Sequence, residues 1–452
     1  MGLISEIPEL KDVLAGELAE RGTWAVASVD ARMSWPVTAQ KVQYRGVDIW
    51  VLPVTKDNYP GIALNLRASG KQEDEAEGLI LQFLSTLSWI ENGGVLVEQF
   101  TRGWRPEPAR REKRFGFGIQ DDFDFSYFPE PSDEKAQLAL AIMREGRGLN
   151  HPAYAFLSFY RVLEVAVADG RKRGEWITAH IERIANPQAT EIIGKLKADG
   201  VTDIGEHLQK SGRQAIAHAR SKPIINPDDP RDARRLRAEL PIIEALAMLA
   251  VEEELGVKTR QTTWREHLYE LEGFKKILGP ERVAAIAKGE TPGDTTPITF
   301  PQLSIELRRR APYKALANLQ VISLEACGPV VALVAQSHDE YFRFRCHLDF
   351  ANERLHFDVL RDIAGKDDGS AECAERHAEA ERFIYDYLCN GELRILDSAT
   401  QALLSRKDAF IPMNCYVNDE FCKANIEGWL AKAQERRSKA VTMQAETPVT
   451  TT

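Results

Sequence analysis

Arg213 and His218, separated by four residues in the segment 212–219 (GRQAIAHA), are the pair whose types and spacing could do chemistry. Histidine titrates nearest neutrality, so it can take the proton of a ribose 2′-OH attacking the adjacent phosphorus, or give one to a leaving oxygen. Arginine can hold the phosphate with two donors and offset the charge growing on its non-bridging oxygens. Together they suit metal-independent RNA transesterification. One helix supplies one acid/base group, so a dimer facing two such segments would supply a second. On a regular α-helix, five steps of ~100° put the two Cα directions roughly 140° apart. The pair then shares a cleft only if the arginine reaches around the helix or Gly212 loosens the turn. A plainer alternative pairs Arg213 with a nearby carboxylate such as Glu206 and makes His218 a hydrogen-bonded, half-buried histidine.

Other polar groups could extend such a site. Residues 220–237 hold six basic and three acidic side chains. Arg220, Arg231, Arg234 and Arg235 could line a phosphate path or form a solvated face. The loop 102–114, RGWRPEPARREKR, holds six basic and two acidic residues around Trp104, which suits stacking on a base beside phosphate contacts, or a plain connector. Arg308-Arg309-Arg310 and the strand face Arg343, Arg345, His347 are further basic groups. Asp121, Asp122 and Asp124 read as capping aspartates of a turn more readily than as metal ligands. Cys373 and His377 could join Cys346 or Cys389 around zinc, but the paired spacing of structural zinc sites is missing, and no metal or other cofactor is expected.

The elements that must position these groups form three parts. Residues 1–130 read as α+β, with a helix over Pro8–Arg21, strands at Trp24–Val29, Val47–Val54 and Ile62–Leu66, a helix over Asp74–Glu91 stopped by Gly93-Gly94, and a strand at Val95–Phe100. Residues 131–256 read as helical. Ser132 is the expected N-cap of the first helix, Pro152 opens the second, Asn186-Pro187 splits the third, the fourth runs from Thr202-Asp203 to about Ser221, and Pro241 kinks the fifth, Arg231–Leu255. Residues 257–300 hold a short helix and a Gly/Pro/Thr-rich linker. Residues 301–436 return to α+β. There YFRFRCHLDF (341–350) alternates apolar and polar and turns at Asn352-Glu353 into Leu355–Leu360, followed by helices over Ala371–Leu388 and Glu420–Arg436. Residues 437–452 are expected to be a disordered tail. The fold class is therefore α+β multidomain, a central all-α bundle flanked by two α+β domains.

Composition narrows the function classes. A chain of 452 residues with 44% hydrophobic and 28% charged residues has the balance of a globular protein. A net charge of −10 argues against a protein that coats nucleic acid through a global positive field. No apolar run nears ~18 residues, no secretion signal is legible, and all six cysteines lie after position 326 without a C-x-x-C. These features predict a cytoplasmic protein with reduced thiols and no membrane. Phosphate-loop, dinucleotide, zinc-protease and nucleophile-elbow signatures are absent.

The segments AYAFLSFYRVLEVA (153–166) and GRQAIAHAR (212–220) resemble HEPN domains, helical bundles with an R-x4–6-H motif on a late helix. The likeness is to the ApeA-like branch, and also to proteins labelled methylamine utilisation MauJ-like. The resemblance implies a metal-independent endoribonuclease, of a defence or toxin-like kind, that acts on RNA as a homodimer joined through the bundle. It makes Arg213 and His218 the catalytic pair and sets Glu164 and Tyr160 along the same cleft. Gln214 stands where nuclease members often carry Asn, Asp or His. Many HEPN domains do not cut, so the resemblance equally allows a non-catalytic scaffold that binds nucleic acid or a partner.

Overall fold

The computed structural model describes residues 7–111, 118–120, 122–125, 127–218, 223–226, 229–293, 296–308, 313–389, 391–409 and 416–446, with 441–446 described by backbone alone. The protein is mixed α+β, with several sheets. It divides into two compact units, Met1–Thr262 and Thr263–Thr452, so the division falls inside the stretch expected as helix and linker.

The first unit opens with an antiparallel sheet ordered β2-β3-β4-β1-β5, from β1 (Trp24–Ala31), β2 (Gln40–Tyr44), β3 (Val47–Leu52), β4 (Gly61–Asn65) and β5 (Val95–Gly103). Period-two alternation loads both faces. Ala25, Ala27, Val29, Ile49, Val51, Ile62 and Leu64 join the core under α1 (Glu73–Ile90). Trp24, Val26, Leu52 and Ala63 turn the other way, against Leu14 and Leu18. The expected helix over Pro8–Arg21 is not continuous. It is α-helical only at Leu10–Val13 and becomes a 3₁₀ turn at Gly16–Ala19, because Gly16 takes a left-handed φ of +55°. β3 ends before Pro53, which cannot donate to the ladder. β2 escaped the sequence reading. Its hairpin turns on Arg45-Gly46, both at positive φ (49° and 76°), a primed turn without the usual Asn-Gly signal.

A run of helices follows: α2 (Glu134–Gly148), α3 (Pro152–Ala166), α4 (Gly170–His180), α5 (Pro187–Ala198), α6 (Ile204–His207) and α7 (Pro230–Glu254). The cap of α2 is Asp133, whose carboxylate accepts from Ala136 N at 3.0 Å, one residue beyond the expected Ser132. Asn186 caps α5 in the same way, with Pro187 at its first turn. Pro241 lies inside α7, which is helical on both sides of it. Phe156, Phe159, Leu163, Leu140, Met143, Leu246 and Val251 share one core with Trp89 and Ile90. The last turn of α1 therefore packs into the helical layer, and sheet and helices form one unit.

The second unit holds α8 (Glu272–Leu278), α9 (Pro280–Ala287), a sheet ordered β10-β9-β8-β7, a three-stranded sheet ordered β13-β12-β6, and two long helices. The strands are β6 (Leu303–Leu307), β7 (Gln320–Cys327), β8 (Val330–Gln336), β9 (Phe342–Asp349), β10 (Arg354–His356), β11 (Ile363–Gly365, paired with β9), β12 (Glu392–Asp397) and β13 (Leu403–Asp408). β9 alternates as read through Leu348: Phe342, Phe344, Cys346 and Leu348 are buried while Arg343 and Arg345 are exposed, but Asp349, expected on the polar face, is buried. β10 is shorter than expected. The chain turns at Asp358, whose N–H donates to Asp362 Oδ2 at 2.8 Å. α10 (Ala371–Leu388) matches its expected span. α11 (Asp419–Glu446) runs ten residues into the predicted tail. Arg436 pairs with Asp367 at 2.7 Å, Arg437 with Glu375 at 2.6 Å and Lys439 with Glu435 at 2.6 Å, which gives this polar stretch reasons to stay helical. Among the described residues no helix is long and apolar enough to cross a membrane.

Candidate functional site

The Arg-x4-His segment does not sit on a regular α-helix. Asp203 caps α6 through Glu206 N at 2.8 Å, and the helix then widens into a π-helical turn, Leu208–Gln214, before a last α-turn, Ala215–Ala217. π-turns are rare and gather at functional positions. Gly212 lets this one form against α3: a Cβ there would stand 2.3 Å from Cζ of the buried Phe156 ring. Arg235 staples it from α7, its Nη2 donating to Ser211 O at 2.8 Å. The turn holding Gly212 is wider than an α-turn, so the roughly 140° separation of a regular helix does not apply.

Arg213 lies a third exposed, its Nε donating to Glu164 Oε1 on α3 at 3.2 Å. The expected alternative partner, Glu206, instead holds Lys210. Glu164 Oε1 is also 4.0 Å from Arg173 Nη2, and the Arg173 guanidinium lies 5.6 Å from the Tyr160 ring centroid. Arg213, Glu164 and Tyr160 therefore join one cluster, together with Arg173, which sequence reasoning missed. Arg173 is buried, and its Nη1 donates to Val167 O (2.8 Å) and Ala168 O (3.2 Å) at the end of α3. One carboxylate among two guanidiniums leaves the cluster with a net positive charge.

His218 ends the helix with extended backbone (φ −129°, ψ 101°), its N–H donating to Gln214 O at 2.9 Å. It is exposed, not half-buried, and among the described residues its imidazole has no hydrogen-bond or ion-pair partner. It stands outside the chain of contacts that joins Arg213 to Tyr160. Gln214 is half-buried in the last π-turn.

The expected phosphate path is largely spent on the protein itself. Arg235 Nη1 lies 3.2 and 3.1 Å from the two oxygens of Glu239, a carboxylate 2% exposed that also meets His207 Nε2 at 3.0 Å. Arg231 folds onto Asp229, which caps α7, and holds that carboxyl down to about 2. Arg234 Nε donates to Pro230 O at 3.1 Å. Arg220 lies outside the described residues.

Of the other candidates, Trp104 is 72% exposed, with the Arg21 guanidinium 5.7 Å from its ring centroid, while Arg102 is held by Glu73 and Glu77. Arg309, Arg310 and Asp121 lie outside the described residues. Arg345 pairs with Asp362 at 2.8 Å. The conceived zinc set does not assemble. Cys373 Sγ donates to Lys366 O, His377 stacks on Trp429 with ring centroids 4.2 Å apart, and the one metal-capable trio among the described residues joins Cys373 instead to Asp367 and Asp368, which are engaged by Arg436 and Tyr341.

Residues 139–252, a minority of the chain running from α2 to the end of α7, match the family described as Methylamine utilization protein MauJ. No curated protein and no solved structure matches the chain.

Proposed function

We propose that the helical segment is a HEPN-type RNA module and that the protein is a metal-independent endoribonuclease acting as a homodimer through this segment. The observation that carries the reading is the Arg213–Glu164 contact. Glu164 takes Nε of the guanidinium, which leaves both terminal nitrogens free among the described residues to grip a phosphate. Glu164 is then a positioning residue. Arg173 offsets its charge, so the cluster still attracts an anion. His218, exposed and unpaired a few residues on, is the group that moves the 2′-OH proton. Product would end in a 2′,3′-cyclic phosphate. Trp104, with Arg21 beside it, offers a stacking platform for an unpaired base.

The test is incubation of the full chain with total RNA in EDTA. His218→Ala should lower cleavage about 100-fold or more with an unchanged melting temperature. Equal cleavage by both proteins overturns the reading. The MauJ-like match and the internal pairing of Arg231 and Arg235 favour a second reading, a non-catalytic scaffold. Intact RNA beside a stable dimer would select it.

A further inference from the structure

A cavity of about 160 Å³ lies between α1, α2 and the β2–β3 turn, remote in sequence from the Arg-x4-His segment. From α2, Gln137, Leu140, Ala141 and Arg144 face it, the i, i+3, i+4, i+7 stripe of one helix side. Most of the polar lining is already satisfied. Arg45 donates to Gln82 Oε1 (2.8 Å) and Pro131 O (2.5 Å), Gln137 Nε2 to Pro131 O (3.0 Å) and Ser85 Oγ to Leu81 O (2.9 Å), while the Tyr44 and Thr86 hydroxyls are 3.3 Å apart.

Arg144 differs. Among the described residues its guanidinium has no hydrogen-bond or ion-pair partner, and its Nε is shut off from water. The contrast with Arg147, one turn on, is direct. Arg147 donates from Nε to Glu244 (2.9 Å), from Nη1 to Ser88 O (2.8 Å) and from Nη2 to Asn92 (2.5 Å). The fold thus satisfies one arginine of α2 at all three nitrogens and leaves the other facing a cavity. Arginine cannot shed its proton, so an Nε held out of water with no acceptor carries a cost that an anion bound across Nε and a terminal nitrogen would remove. Leu81, Leu140 and Ala141 leave room for an apolar body beside that charge.

We propose that this cavity binds a small organic anion, its carboxylate or phosphate on Arg144 and its short apolar chain against Leu81 and Leu140. The site is independent of the ribonuclease reading. The test is calorimetric titration of the full chain with hexanoate, hexyl phosphate and, as the uncharged control, 1-hexanol. One anion should bind saturably at one per chain, at least tenfold tighter than hexanol, and the tighter of the two identifies the head group. Arg144→Met should abolish that binding. Ala141→Leu, which fills the cavity without touching the charge, should do the same and serves if Arg144→Met does not fold. Absence of saturable binding by both anions, or binding that survives these substitutions, overturns the proposal.

Discussion

Two glutamates, one in each unit, sit among arginines and do different things. In the second unit, Glu392 on β12 is 12% exposed, its oxygens 3.7 to 3.8 Å from Arg308, Arg394 and Arg406. Burial pushes its carboxyl up against the pull of those arginines. Arg406, 3% exposed, lies against a pair of touching rings, 4.7 Å from Trp264 and 4.6 Å from Tyr269. The buried pair Glu392 and Arg406 braces β12 against β13, with Arg308 and Arg394 about a third exposed at its edge. Glu164 in the first unit has the same chemical neighbours but is 30% exposed, and its partner Arg213 is 33% exposed with donors to spare. The ingredients are alike. The burial of the carboxylate and of its nearest arginine, Arg406 against Arg213, separates an internal brace from a place where an anion could bind.

The comparison breaks most visibly on stability. Glu392→Ala strands buried arginine charge and should cost about 3–5 kcal/mol, read by chemical denaturation. Glu164→Ala removes a partly exposed carboxylate while buried Arg173 keeps its two carbonyl acceptors, and should cost about 1 kcal/mol, while RNA binding or cleavage falls about tenfold because Arg213 loses its anchor. Equal destabilisation by the two changes would erase the distinction.

A smaller effect tests the turn that presents Arg213. Gly212→Ala drives a methyl into the Phe156 ring and should cost about 1–3 kcal/mol. Combined with Phe156→Leu, the double variant should be less destabilised than the sum of the singles. Strict additivity would mean that the close approach of the π-turn to α3 does not need glycine.

The difference between the regions also marks what could be read in advance. Spacing exposed the apolar stripe Phe156, Phe159, Leu163 and thereby α3, and alternation exposed β9, because both are set by local periodicity. Type and spacing single out Arg213, the resemblance adds Glu164 and Tyr160, and these three fall in one cluster while His218 stands outside its contacts. Arg173 was missed. It lies in RKRG, a run that looks solvated, and only the return of α4 onto the end of α3 buries it. The same applies to Arg235, whose partner Glu239 is one turn away but whose second contact, Ser211 O, is set by tertiary packing. The π-turn had one faint signal, Gly212 inside a helical pattern. The length of α11 depends on ion pairs to distant residues such as Asp367 and Glu375, which no window of sequence contains.

The smallest effect sharpens the comparison by sign. Asp367 in the second unit is held by Arg436 through two contacts of 2.7 Å, and this pairing at the surface draws its carboxyl down to about 2, where burial moves Glu392 up. A carboxyl held low in the folded chain contributes stability above its ordinary range near ~4, and that contribution disappears as pH falls through the folded value. Melting temperature followed from pH 5 to pH 2 should therefore decline less steeply in Arg436→Ala than in the parent. Identical profiles would show that the pair holds nothing in place, and α11 would then owe its helicity beyond Arg436 to Arg437–Glu375 and Lys439–Glu435 alone.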